Sequence, residues 1–109
     1  MPSISVIIST YNKPHFLEKV LTGYSFQTFN DFEIIIADDG SSNETKEMIA
    51  KFDQLLPQKI YHVWHEDNGF RKCKILNAAI LKSSNDYLVF SDGDCIPDSR
   101  FLETHSRLA

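Results

Sequence analysis

Cysteine, glycine and proline are scarce in this chain, and it has no run of basic residues and no long apolar stretch. Two cysteines, Cys73 and Cys95, cannot make a disulfide framework, and their spacing matches no zinc motif. They read as two reduced core thiols of a cytosolic protein. The opening "ISVII" is too short for the apolar core of a secretory signal and has no basic flank. Nothing approaches transmembrane length. A cytoplasmic location is expected, with a further region of a parent protein able to dock at a membrane peripherally. Eleven Lys and Arg against fifteen Asp and Glu give a net charge of −4. That balance argues against a nucleic-acid partner, which needs a basic surface. A small ligand, or one that brings its own cation, suits it better.

What is present is an ordinary globular composition, 42% hydrophobic and 24% charged over 109 residues. It suffices for one domain with one modest core. Four apolar runs punctuate it: Ile4 to Ser9, Phe32 to Ala37, Ile60 to Trp64 and Tyr87 to Ser91. The first, second and fourth are nearly continuous, as in strands covered on both faces. The third is interrupted by His62 and suits a sheet edge.

Helical patterns fill the gaps. Between Pro14 and Phe26 the stripe is Phe16, Leu17, Val20, Leu21 and Tyr24, with Pro14 in a permitted first-turn position. Between Glu44 and Leu56 it is Met48, Ile49, Phe52, Leu55 and Leu56, preceded by a capping-box spacing from Ser41 to Glu44. Between Phe70 and Lys82 it is Phe70, Cys73, Leu76, Asn77, Ile80 and Leu81. A fourth helix starts near Asp98 or Ser99, with Phe101, Leu102, His105 and Leu108 on one face. Strand and helix alternate four times, which predicts an α/β, Rossmann-like open parallel sheet with helices on both faces. The chain stops within the last helix without a C-cap signal, so a cut from a longer protein is expected.

In such a sheet ligands bind beyond the carboxyl ends of the strands, and polar clusters fall there. Ser9-Thr10-Tyr11-Asn12 follows the first run, Asp38-Asp39-Gly40-Ser41-Ser42 the second, and His65-Glu66-Asp67-Asn68-Gly69 the third. Asp92-Gly93-Asp94 follows the fourth. Each alone would serve as a turn. Asp92 and Asp94, two apart on extended backbone, point to one side and suit a hard divalent cation such as Mg²⁺ or Mn²⁺. Gly93 lets the backbone bend or approach a ligand. Asp39 can accept a hydrogen bond from a nucleobase N–H. Arg71 and Lys74, near a helix N-terminus, make a plausible diphosphate contact.

Together these segments resemble the N-terminal half of a family-2 inverting glycosyltransferase of GT-A fold. "SVIISTYNKPHFLEKVLTGYSFQTFNDFEIIIADDGSSNET", "NGFRKCKILNAAI" and "DYLVFSDGDCIPD" are similar to that family's motifs, in its order. The resemblance implies a nucleotide-sugar donor, most often a UDP-sugar, a saccharide or lipid-linked acceptor, a divalent metal and inversion at the anomeric carbon. By position it implies that Ser9, Thr10 and Tyr11 line the base pocket and that Asp39 binds uracil. Arg71 would lie near base or diphosphate, Asp92 at ribose or metal, and Asp94 at the metal. Residues 1–109 would form the donor-binding half, with the general base beyond Ala109. "GFR" with "DGDCIP" resembles the branch acting on polysaccharides. Two departures stand out: Ser9 replaces a usual Pro, and Leu76-Asn77 replaces a usual Arg-Asn. His62, His65 and His105 receive no role. An unpaired sheet edge offers a surface for a homodimer. The competing readings are a non-catalytic nucleotide-binding or interaction module and a D-x-D phosphotransferase, whose motif belongs on the first strand.

Overall fold

The computed structural model describes residues 3–69, 71–93 and 95–108. Its elements alternate: β1 (Ile4–Thr10), α1 (Pro14–Ser25), β2 (Phe32–Asp38), α2 (Asn43–Leu55), β3 (Ile60–Trp64), α3 (Lys72–Lys82), β4 (Tyr87–Asp92) and α4 (Phe101–Leu108). Every strand pairing is parallel, in the order β3-β2-β1-β4. This is the open, Rossmann-like sheet that the alternation predicts. Two of the three unbroken apolar runs form the central strands β1 and β2, and every residue of β2 is buried. β3 lies at one edge, as its mixed pattern suggests. β4 departs from expectation: it is the opposite edge, and Phe90 on it is 54% exposed.

The chain steps from β1 to β2 to β3 in one direction, then returns past β1 to place β4. A crossover of constant hand puts its helix on the other face when the direction reverses. Accordingly α1, α2 and α4 share the core of Ile4, Val6, Ile8, Ile34 and Ile36. α3 alone covers Ile7, Ile35 and Ala37, through Ile75 and Ala79. Alternate residues of β1 and β2 thus serve opposite layers.

Helix phases differ from the expected stripes. Leu17, Val20, Leu21 and Tyr24 of α1 are buried, but Phe16 is exposed. In α2, Thr45 joins Ile49 and Phe52 inside, while Leu55 is exposed. In α3 the inward face is Ile75 and Ala79, and Cys73, Asn77 and Leu81 are exposed; Phe70 lies outside the described residues. A helix with apolar residues on more than one face has no unique stripe, and small Ala79 permits close approach to the sheet. In α4, Leu102 and Ser106 are buried and Leu108 is exposed. The core-thiol reading fails with the α3 stripe: Cys73 and Cys95 are both exposed, on the outer face of α3 and in the loop after β4. The expected capping box is not formed. Ser42, not Ser41, is the N-cap of α2 and makes no side-chain cap bond.

One buried acid ties the sheet together away from the carboxyl ends. Glu33, within apolar β2, accepts bonds from Ser5 Oγ at 2.6 Å, Ser84 N at 2.8 Å and Ser84 Oγ at 2.7 Å. Burial pushes its pKa up, but these donors outweigh burial and hold it below the ordinary carboxylate value. They join β1, β2 and the α3–β4 link. Ser5→Ala is expected to cost about 1.5–3 kcal/mol, the worth of a hydrogen bond to a charged group. Because the folded pKa lies below the unfolded one, this contribution is present above the unfolded value and is lost as pH falls through the folded value. Urea denaturation of both proteins across the acid range checks the loss and its shrinkage.

Candidate functional site

Reversal of strand order at β1 opens a crevice beyond the carboxyl ends of β1 and β4. The cleft there has a volume of about 580 Å³, and Ser9, Thr10, Tyr11, Asp39, Lys72 and Asp92 are among its lining residues. Two successive carbonyls of β1 build it. Ser9 O accepts from Gly93 N at 2.8 Å, and Thr10 O accepts from Asp39 N at 3.1 Å. Motifs distant in sequence are thereby anchored to adjacent residues.

The two aspartates after β2 have different fates. Asp38 is fully buried, its Oδ1 accepting from Ser41 N at 2.9 Å and its Oδ2 lying 2.7 Å from His62 Nε2. It shapes the turn. Asp39 lines the cleft, with Oδ1 hydrogen-bonded to His65 Nε2 and Oδ2 accepting from Arg71 N at 2.9 Å. Burial raises its pKa, but the His65 hydrogen bond, the Arg71 N–H and the charges of both residues prevail and lower it. Asp39 is therefore an ionised, acceptor-only group at neutral pH.

The surrounding loops are keyed to one another. Asn12 adopts the left-handed region (φ 47°), which Asn tolerates better than most residues. Its N–H donates to Ser41 Oγ at 2.7 Å, and its Oδ1 accepts from Ser42 N at 2.8 Å. Ser41 is thus engaged by Asn12 rather than by Glu44. Gly40 has φ +97°, and a Cβ there would lie 2.5 Å from Asp67 Cα and N. Tyr11, lining the cleft, donates its hydroxyl to Asp67 Oδ2 at 2.5 Å, a bond that raises the tyrosine pKa.

On the other side, Asp92 is 59% exposed at its side chain. Its Oδ1 accepts from Ser9 Oγ at 3.1 Å and lies 3.3 Å from Lys72 Nζ. Gly93 is where it is because a Cβ would meet Ser9 O at 2.7 Å; its close approach is to the backbone of β1. Asp94 lies outside the described residues. Farther along, the chain is clamped by Gln27, just past α1. Gln27 Nε2 donates to Asp98 O at 2.7 Å, and Gln27 Oε1 accepts from Leu102 N at 3.0 Å.

The structure brings Ser9, Thr10, Tyr11, Asp39 and Asp92 to one cleft. Arg71 contributes its backbone there, while its guanidinium donates to Glu66 O at 2.5 Å. Lys74 is exposed on α3, outside the cleft lining. Lys13 and Lys72 supply the cations that line it. Lys72 lay within the basic start of α3, but its phase could not be read from the sequence. His65 and Asn12 gave no signal beyond their place in polar turns. Thr10 Oγ1 is buried without a hydrogen-bond partner among the described residues. Among the same residues, no three or more His, Cys, Asp or Glu form a group able to hold a metal.

Solved structures share this architecture. S. aureus TarS superposes with a TM-score of 0.81 at 24% identity, covering 96% of this chain and 19% of that one. The mannosyltransferase PcManGT from Pyrobaculum calidifontis, solved in complex with GDP-Man and Mn²⁺, gives 0.79 at 23%, covering 90% and 29%. At such identity the likeness establishes the fold, the GT-A type of open α/β sheet. The family model of glycosyl transferase family 2 matches residues 5–108, and the chain belongs to that family. Chondroitin synthase of Escherichia coli is 30% identical over 106 residues, which is 96% of this chain and 15% of that protein. Glycosyltransferase AglE of Haloferax volcanii is 32% identical over 105 residues, 94% and 34% respectively. The chain therefore spans about a third or less of the length of these two relatives.

Gly40→Ala is expected to dislodge the 65–69 loop, since it meets both a left-handed backbone and Asp67. The backbone strain alone costs about 1–3 kcal/mol. Faster amide exchange through residues 65–71, with a lower denaturation midpoint, checks this.

Proposed function

We propose that this chain forms the donor-binding part of an inverting, metal-dependent glycosyltransferase that takes a UDP-sugar. One observation carries the reading. Asp39 and Asp92 stand at opposite sides of a single cleft, each anchored to β1, with Lys72 beside Asp92. Asp39, acceptor-only, takes the N–H of uracil, while Ser9, Thr10 and Tyr11 line the base and ribose; Thr10 Oγ1, without a partner among the described residues, adds a polar group there. Arg71 acts through its N–H on Asp39, and the diphosphate contact expected of its side chain passes to Lys72. TarS has been solved with UDP-GlcNAc, which supports a uridine nucleotide in this fold.

An exposed carboxylate at a strand end, already balanced by a cation, fits a Mg²⁺ or Mn²⁺ that keeps water and phosphate oxygens in its remaining positions. Asp92 and Asp94 would hold it, and Lys72 would exchange its partner for phosphate. Bound there, the metal neutralises charge on the nucleoside-diphosphate leaving group. The acceptor is a saccharide or a lipid-linked one, and polysaccharide synthesis agrees with the chondroitin synthase likeness. We assign none of the described residues as the general base.

Thermal denaturation tests the reading. UDP with Mn²⁺, each at a hundredfold excess over its Kd, adds about 2.7 kcal/mol or more, which raises Tm by about ten degrees in a domain of this size. Asp92→Ala and Asp94→Ala are each expected to remove the metal-dependent part; a full shift in Asp94→Ala refutes the metal role. Lys72→Met is expected to weaken UDP about tenfold, the worth of one charge-assisted hydrogen bond. Uridine affinity should not move, and calorimetric titration of both ligands checks the difference.

A further inference from the structure

His65 has no part in the scheme above, yet its imidazole bonds the carboxylate assigned to base recognition. The link between β3 and α3 delivers two donors to Asp39, His65 Nε2 on Oδ1 and Arg71 N on Oδ2. A carboxylate turns about a broad, shallow torsion. Donors on both oxygens fix its plane, and each oxygen keeps acceptor capacity for a ligand. The residues are mostly enclosed, 18% exposed for the imidazole and 9% for the carboxylate, so few waters compete. The link itself is held elsewhere, by Tyr11 on Asp67 and by Gly40 against Asp67.

The neighbouring pair shows what a purely structural version looks like. His62 meets Asp38 at 2.7 Å, but Asp38 is fully buried and is not among the residues lining the cleft. His65 meets an aspartate that does line it.

We propose that His65 is a positioning residue that orients the Asp39 carboxylate so that the cleft selects a pyrimidine with an N–H at its ring edge over one with a bare nitrogen. Uracil presents N3–H to that carboxylate; cytosine presents an N3 lone pair, which an acceptor repels. The inference rests on the nucleotide reading above and adds what makes the carboxylate discriminate. A loop staple, once lost, weakens every nucleotide equally. A lost orienting bond changes the ratio between them.

Calorimetric titration of the full chain with UDP and with CDP, Mn²⁺ present, separates these outcomes. His65→Phe keeps the bulk but not the donor, and is expected to weaken UDP about tenfold, as the hydrogen bond from uracil to Asp39 loses its alignment, while CDP changes little. The UDP preference narrows by the same factor. His65→Gln, whose Nε2–H has the same reach, is expected to restore the preference to within about twofold. His65→Asn, too short to reach Asp39, gives the same readout as His65→Phe should that variant not fold. A preference unchanged in the variants lacking the bond overturns the role of His65 and leaves the nucleotide site standing. So does a wild type that binds both nucleotides equally. A wild type that binds neither overturns the nucleotide reading and this inference together.

Discussion

The last two carbonyls of β1 hold the cleft together. Successive carbonyls of a strand point to opposite sides in the plane of the sheet, and here Ser9 O takes Gly93 N while Thr10 O takes Asp39 N. Each acidic turn is thereby docked against the same short piece of backbone. Because β4 and β2 flank β1 on opposite sides, their turns diverge beyond it, and the space between them is the crevice. Gly93 is required for the contact on one side, since any side chain there would strike Ser9 O. On the other side Gly40 permits the turn to meet Asp67.

Crowding three aspartates around one cleft, with a fourth buried behind it, would be unfavourable if they were bare. Each is met by donors from a different element: Asp38 by His62 and Ser41 N, Asp39 by His65 and Arg71 N, Asp67 by Tyr11, Asp92 by Ser9 and Lys72. Partnering answers the desolvation cost that buried carboxylates otherwise carry. It also makes the loops interdependent, because a donor from one loop satisfies an acid on the next.

Much of this was legible in the residues. Continuous apolar runs of β-branched residues marked β1 and β2, and the alternation with helices gave the layer order. The D-D-G-S turn and Asp92-Gly93 fell at the strand ends that border the cleft. What could not be read depends on strand order and helix phase. That β4 joins the outer side of β1 is a matter of strand order, which local pattern does not carry, so its apolar run looked like a central strand. The phase of α3 hid both the exposure of Cys73 and the approach of Lys72 to Asp92. The histidine–aspartate pairs come from parallel pairing of β2 with β3, in which Ile36 stands opposite His62 and Asp38 opposite Trp64. Two residues that far apart in sequence carry no mark of their meeting.

The two sides of the cleft differ in stiffness, and this bears on how the proposed donor would be held. Asp39 sits in an enclosed ring of backbone and imidazole donors whose positions are fixed by neighbouring loops. Asp92 is exposed, and its cationic partner is a lysine with a long, rotatable stem. A rigid carboxylate suits a planar base, whose donor occupies one place. An open carboxylate with a mobile lysine suits a diphosphate and its metal, whose oxygens and charge redistribute when the sugar departs. The bonds of Gln27 to Asp98 O and Leu102 N tie the approach to α4 to the segment just after α1.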